Sequence, residues 1–243
     1  NWGFRSSFRN YVASQTAAMP PLGAAPTGQR ITVAAPAEFD PDGAPTGIGT
    51  PESRPYVFPV TGEDVTSTEL DVRAEGAVTY NFPSHTFRIT FADPNLVVSG
   101  ATKQILGDVT VVTIDSSNGD ETGTTTTEDV AIADVATVNT VIAGDGSSAS
   151  ITGSGVTLTA AGAAALNEYL HEGDVIDDFT AEVELSSPAA SVPTVTVDKT
   201  VVNPAGDTIT VTGTGFDPAS SIGSRAPLNG LQSGAYVVFG KFA

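Results

Sequence analysis

The chain has 243 residues, room for one large domain or two ordinary ones, and 40% of them are hydrophobic, so a sizeable core can form. Ten Lys and Arg stand against 28 Asp and Glu, and a net charge of −18 argues against nucleic acid or anionic lipid as a partner, because both demand clustered positive charge. The absence of cysteine removes disulfides, thiolate metal sites and cysteine nucleophiles.

The chain opens Trp2-Gly3-Phe4-Arg5-Ser6-Ser7-Phe8-Arg9-Asn10-Tyr11-Val12. Phe4, Phe8, Tyr11 and Val12 recur at i, i+4, i+7 and i+8, which predicts an amphipathic helix. Arg5 and Arg9 fall on a different face. Ser7 and Tyr11 are four apart, so their hydroxyls point towards whatever the helix covers. Residues 17 to 55 are punctuated by proline and glycine and read as a long loop with one short strand at Arg30–Val33. A loop of that length is often functional, and this one could fold over a pocket mouth. Asp40-Pro41-Asp42-Gly43 reads as a turn, since the full spacing of a calcium loop is missing.

Strand signals follow. Tyr56–Val60, Ser67–Val72, Gly76–Phe82 and Phe87–Phe91 are short segments, most of them alternating apolar and polar residues, the last stopping at Asp93-Pro94. Leu96–Val98, Asp108–Ile114, Val130–Val135, Thr140–Ala143 and Ser150–Leu158 continue the series, with Asn118-Gly119 marking a turn in the polar stretch Ser116–Thr127. Short strands with regular turn signals predict a mainly β protein, an antiparallel β-sandwich. Thr159 to Glu172 breaks the pattern as an alanine-rich second short helix, capped by Thr159 and stopped at Gly173. Val175–Phe179 and Thr180–Leu185 return to strand, and Asp177-Asp178 reads as a solvated turn. Residues 186–193 are a linker. Residues 194–243 then read as a partial immunoglobulin-like β unit, with strands at Thr194–Val197, Thr208–Gly213 and Ala235–Phe239 and a Gly213-x-Gly215-Phe216-x-Pro218 turn.

No phosphate loop, HExxH or nucleophile elbow is present, and no acid–base pair is legible, so an enzyme is not expected. No signal peptide is present, and no run of about 18 apolar residues could span a bilayer. The start at Asn1 and the composition, rich in Thr, Val, Ala, Gly and Asp and poor in Lys, suggest a mature or excised piece of a longer exported protein.

Trp2 followed by Ser7-Phe8-x-x-Tyr11 resembles the opening of the HtaA domain, a heme-binding module of actinobacterial cell-surface heme-uptake proteins. Leu158-Thr159-Ala160-Ala161-Gly162-Ala163 resembles a second motif of that family, and Phe82–Pro94 resembles its histidine-bearing segment. The likeness covers residues 1 to about 185, which sets the expected heme-binding domain at 1–185. It implies that Tyr11 is the axial ligand to ferric heme iron and that His85 hydrogen-bonds the tyrosine oxygen rather than the metal. Ser7 is then a polar contact on the same helix, and Tyr169 and Leu170 fall where the family lines the heme with an aromatic pair. Phe8, Phe58, Phe82 and Phe87 are candidates for the pocket wall or for plain core. Leu170 departs from the family, which carries an aromatic there. Tyr binds ferric heme as phenolate, a hard anion that favours Fe(III), as suits a carrier of oxidised heme rather than oxygen storage or electron transfer. His171 reads as a residue of the helix C-terminus, favourable to its dipole.

The function implied is capture of ferric heme at the cell surface or in the medium and its passage to an uptake system. Hemoglobin or another heme-carrying surface protein is the expected partner, and self-association stays open. A different class of reading keeps the fold without the ligand, as a structural or adhesive surface module.

Overall fold

In the computed structural model, residues 1–16, 21–66, 68–144, 146–185, 194–201, 203 and 205–214 are described. The expected linker 186–193, the strand start at Ser67, the immunoglobulin-like turn beyond Thr214 and the strand Ala235–Phe239 lie outside them. Two units separate, Asn1–Ser186 and Ser187–Ala243.

The first unit begins with helix α1, Ser6–Ala13. The strands β1 (Ile31–Ala34), β2 (Glu38–Phe39), β3 (Tyr56–Val57), β4 (Val60–Val65), β5 (Leu70–Ala74) and β6 (Ala77–Phe82) follow. After a 3₁₀ turn at Pro83–His85 come β7 (Phe87–Ser99), β8 (Thr102–Ile114), β9 (Glu121–Ile142) and β10 (Ser148–Leu158). Helix α2 (Ala160–Ala165) and β11 (Phe179–Glu184) complete it. In the second unit β12 (Thr194–Val197) pairs antiparallel with β13 (Val211–Thr214).

Among the described residues of the first unit, nine strands form a single antiparallel sheet in the order β1-β6-β7-β8-β9-β10-β11, with β4 and β5 attached at the side. The mainly β class with two short helices is as the sequence predicts. The two layers expected of a sandwich come from one sheet that curls. Strand β7 is the hinge of that curl. Its first half pairs with β6 and its second half with β5, while β8 runs along both. The register shifts between Ala92 and Asn95, where Asp93 adopts φ 50°. Pro94 therefore sits in a bulge of a continuous strand and does not end it. A bulge leaves one residue unpaired, so a missing N–H costs nothing there, and it adds twist.

The two strands expected at Val130–Val135 and Thr140–Ala143 are likewise one 22-residue strand, β9, which starts at Glu121 within the expected polar tip. Register shifts against β8 at Ile105/Leu106, Gly107/Val109 and Thr113/Ile114 let the long hairpin bend with the sheet. The long loop holds more than one strand: β1, β2 and a 3₁₀ turn at Pro51–Ser53 all lie between residues 17 and 55. Asp40–Gly43 is the turn expected, with Asp42 N–H donating to Asp40 Oδ1.

The concave face closes over a core that includes Trp2, Phe4, Phe8, Tyr56, Tyr80, Phe87, Ile89 and Phe91. Helix α2 packs against β9 through Gly162. An added Cβ there would strike the carbonyl of Ile132, so only glycine permits this approach. Thr159 caps α2 as predicted, accepting from Gly162 N at 2.8 Å. The helix stops at Ala165, well before Gly173, because Asn167 and Glu168 take left-handed conformations at φ 51° and 56°. Tyr169, Leu170 and His171 thus lie on the turn beyond it. His171 is exposed and close to Glu168 at 3.7 Å, so the helix-terminal role expected for it does not apply.

Candidate functional site

Helix α1 begins at Ser6, and the apolar stripe read from residue 4 spans two conformations. Phe4 adopts φ 60° and turns the chain into the helix, while its ring stays in the core at 3% exposure. Arg5 at the N-cap supplies no side-chain cap. The cap comes instead from residue 177: Ser6 N–H donates to Asp177 Oδ1 at 2.8 Å. The other oxygen of that carboxylate lies 2.5 Å from Arg9 Nη1. Arg9 is 4% exposed and also donates to the carbonyls of Gly3 and Ser53. The Asp177 backbone closes the junction, its N–H on Phe4 O at 2.6 Å and its carbonyl accepting from Trp2 Nε1 at 2.9 Å. One sequence expectation fails at this point: Asp177 is not part of a solvated turn but the partner of Arg9, which lies off the apolar stripe as expected and is nonetheless buried. Their partnership spans 168 residues, and no local signal announces it.

The helix so held presents Ser7, Phe8 and Tyr11 to a cleft of about 300 Å³ whose remaining lining is Arg5, Phe87, Tyr169, Leu170 and Asp174. This volume is at the lower end of small-molecule sites, and the cleft opens to solvent. Phe8 is buried and stacks on Phe87 at 6.0 Å between ring centroids, and Phe87 in turn meets Tyr169 at 4.8 Å. Phe87 and Tyr169 form one apolar wall, and Leu170 extends it. Ser7 is exposed and accepts from Arg5 Nε at 3.0 Å. Arg5 Nη1 pairs with Asp174 Oδ2 at 2.7 Å.

Tyr11 is 40% exposed, with its ring against Phe82 at 5.0 Å and Phe8 at 6.2 Å. Its hydroxyl is hydrogen-bonded to His85 Nδ1. His85 belongs to the 3₁₀ turn Pro83–His85, which Thr86 ends in a left-handed conformation at φ 67°. The imidazole lies flat on the Phe82 ring, 4.0 Å between centroids and 15° between planes. A wholly buried ring thus sets the orientation of the imidazole, and the imidazole contacts the phenol 74 residues earlier in the chain. Burial raises the Tyr11 phenol above its ordinary value, so the free protein carries it protonated at neutral pH.

Ser7, Phe8, Tyr11, Tyr169 and Leu170, all named from the sequence, share this cleft, with His85 directly behind Tyr11. Of the other aromatic candidates, Phe87 lines the cleft, Phe82 underlies His85, and Phe58 lines a separate apolar crevice with Trp2 and Phe179. Arg5 and Asp174 were not anticipated at the site. Among the described residues, no group of three or more His, Asp or Glu could hold a bare metal ion.

A family model described as Htaa matches residues 1–182. The N-terminal domain of HtaA from Corynebacterium glutamicum is 24% identical, with a TM-score of 0.54 over 77% of this chain and 96% of that one. The heme binding protein HtaB of the same organism is 20% identical, with a TM-score of 0.55 over 75% and 90%. The C-terminal domain of HtaA from that organism, 16% identical, gives 0.52 over 76% and 94%. At these identities the structures share the fold. A comparison with curated proteins gives no match. The family match spans all but the last two residues of the curled sheet, both helices and every residue of the cleft, and the chain belongs to the HtaA family.

Proposed function

We propose that this protein captures ferric heme in the cleft beneath α1 through Tyr11 and passes it on to an uptake system outside the cell. The observation that carries the reading is the contact between the Tyr11 hydroxyl and His85 Nδ1 at the edge of a cleft walled by Phe8, Phe87, Tyr169 and Leu170. A phenol that is 40% exposed has a free side from which a metal can approach. The heme-binding description of HtaB, a protein of the same fold, supports the same reading.

The residues fit such a cargo. The flat apolar walls suit a porphyrin face, and a phenolate supplies a hard oxygen donor to Fe(III). Tyr11 would lose its proton to solvent to become that donor. His85, as the Nδ1–H tautomer, would donate to the phenolate oxygen, offsetting its charge and fixing the ring. Phe82 holds the imidazole plane for that purpose. Leu170 keeps the wall apolar where the family carries an aromatic, at the loss of one stacking contact.

The domain division at 1–185 and 194–243, with 186–193 between, is part of this proposal, as are the immunoglobulin-like character of the second unit and the extracellular location. Among the described residues no helix is long and apolar enough to cross a membrane. Hemin titration followed by absorbance tests the function. A Soret band with a tyrosinate charge-transfer band is expected from the wild type, and Tyr11→Phe should lose the charge-transfer band and most of the affinity. A spectrum unchanged from free hemin would sink the proposal, and self-association in that sample would favour the structural or adhesive reading.

A further inference from the structure

The cleft has one charged pair on its otherwise apolar and hydroxylic lining. Arg5 is the only cation among the described residues that line it. The guanidinium is fixed at two points: Nε donates to Ser7 Oγ at 3.0 Å, and Nη1 lies 2.7 Å from Asp174 Oδ2. Neither side chain is fully solvated, with 24% of Arg5 and 30% of Asp174 exposed. Asp174 is itself anchored, its Oδ2 accepting from His171 N–H at 2.9 Å. That bond first, and Arg5 second, hold its carboxyl below the usual carboxylate range, so it stays charged at any physiological pH.

A guanidinium presents five donors in a planar fork whose geometry matches a carboxylate. Asp174 and Ser7 use only part of that fork. The chain as a whole carries −18, so a cation kept at a ligand cleft and faced by a single acid calls for an explanation.

We propose that Arg5 anchors a carboxylate of the bound porphyrin, and that Asp174 is a built-in competitor that holds the guanidinium until that carboxylate replaces or shares it. This rests on the heme reading of the cleft and adds to it the class of ligand: a porphyrin bearing a free acid at its edge. The exchange sets one carboxylate against another on the same cation. The net gain is therefore smaller than an unpaired arginine would give, which keeps loading reversible, as a carrier requires. Arg5 recognises the acid, and Asp174 tunes the affinity.

The test uses the whole chain with three probes: hemin, hemin dimethyl ester, whose acids are masked, and iron-free protoporphyrin followed by fluorescence. Arg5→Ala should weaken hemin and protoporphyrin about tenfold and leave the ester unchanged, since one charge-assisted contact is lost. Arg5→Lys should recover part of the loss. Asp174→Asn keeps an acceptor for His171 N–H and should bind hemin about threefold more tightly, a gain that disappears in the Arg5→Ala background if the two residues are coupled. Circular dichroism establishes that each variant is folded. The inference is overturned if Arg5→Ala binds hemin like the wild type, if its loss is equal for the ester, or if Asp174→Asn binds more weakly. A wild type that binds hemin alongside an unaffected Arg5→Ala removes this inference alone. A wild type that ignores hemin removes the heme reading and this inference with it.

Discussion

In the proposed heme reading the phenol of Tyr11 and the imidazole of His85 carry the chemistry, and each has its own consequence. Removing a hydrogen-bond partner of a metal ligand typically costs about 10- to 100-fold in affinity, and His85→Ala should weaken hemin by that order. The loss should vanish in the Tyr11→Phe background if, as proposed, His85 acts only through the tyrosine oxygen. A titration of the two single variants and the double variant decides this. The second consequence is a proton. Burial holds Tyr11 above its ordinary value, so at neutral pH the free protein carries the phenol. Coordination by Tyr11, as proposed, needs the anion, so a proton should leave on binding, and affinity should fall as pH falls. The slope should approach about tenfold per pH unit below the phenol's own titration. Tyr11→Phe should flatten it. Hemin titrations at a series of pH values check both the sign and its loss.

The element that delivers Tyr11 is α1, and it is held from the far end of the chain. Asp177 caps the helix at Ser6 and neutralises the nearly buried Arg9. Asp177→Ala removes both contacts and strands a cation in the core. Breaking a buried pair costs about 3–5 kcal/mol and losing a cap about 1, and with Asp177 26% exposed a total of about 2–4 kcal/mol is expected. Asp177→Asn keeps the acceptor for Ser6 and should lose less. Urea midpoints of the two variants measure the difference. The same contact shows which parts of the architecture were legible in the sequence. Ser7, Phe8 and Tyr11 were readable because local spacing fixes a helix face. Thr159 was readable because an N-cap is a local pattern. The family motif supplied His85. Arg9 with Asp177, and Arg5 with Asp174, were not readable, because each pair meets only when β11 and the turn before it close over α1. The boundaries failed for a related reason. A proline in a strand normally marks an end, but Pro94 falls in the bulge where β7 changes partner from β6 to β5. The end of α2 was misplaced because Asn167 and Glu168, neither of them glycine, take the left-handed turn.

At the scale of the whole molecule the dominant fact is the charge of −18. Hemin, the proposed ligand, carries acids of its own, so protein and hemin should repel over distances longer than the cleft. Such a field slows encounter, the reverse of the steering that opposite charges provide. Screening lifts it: the Debye length shrinks from about 30 Å at 0.01 M salt to about 8 Å at 0.15 M. Arg5 acts only at contact range, and its pairing with Asp174 leaves almost no net field to guide an approaching anion. The association rate of dilute hemin should therefore rise with added salt, by a few-fold over that range. Its dissociation rate should rise much less, because apolar walls and the proposed iron–phenolate bond would be little affected by salt. Hemin dimethyl ester, which lacks the acids, should associate at a rate nearly independent of salt. Stopped-flow absorbance at the Soret band separates the two. A hemin association rate that falls as salt is added would mean that a local positive field outweighs the total charge.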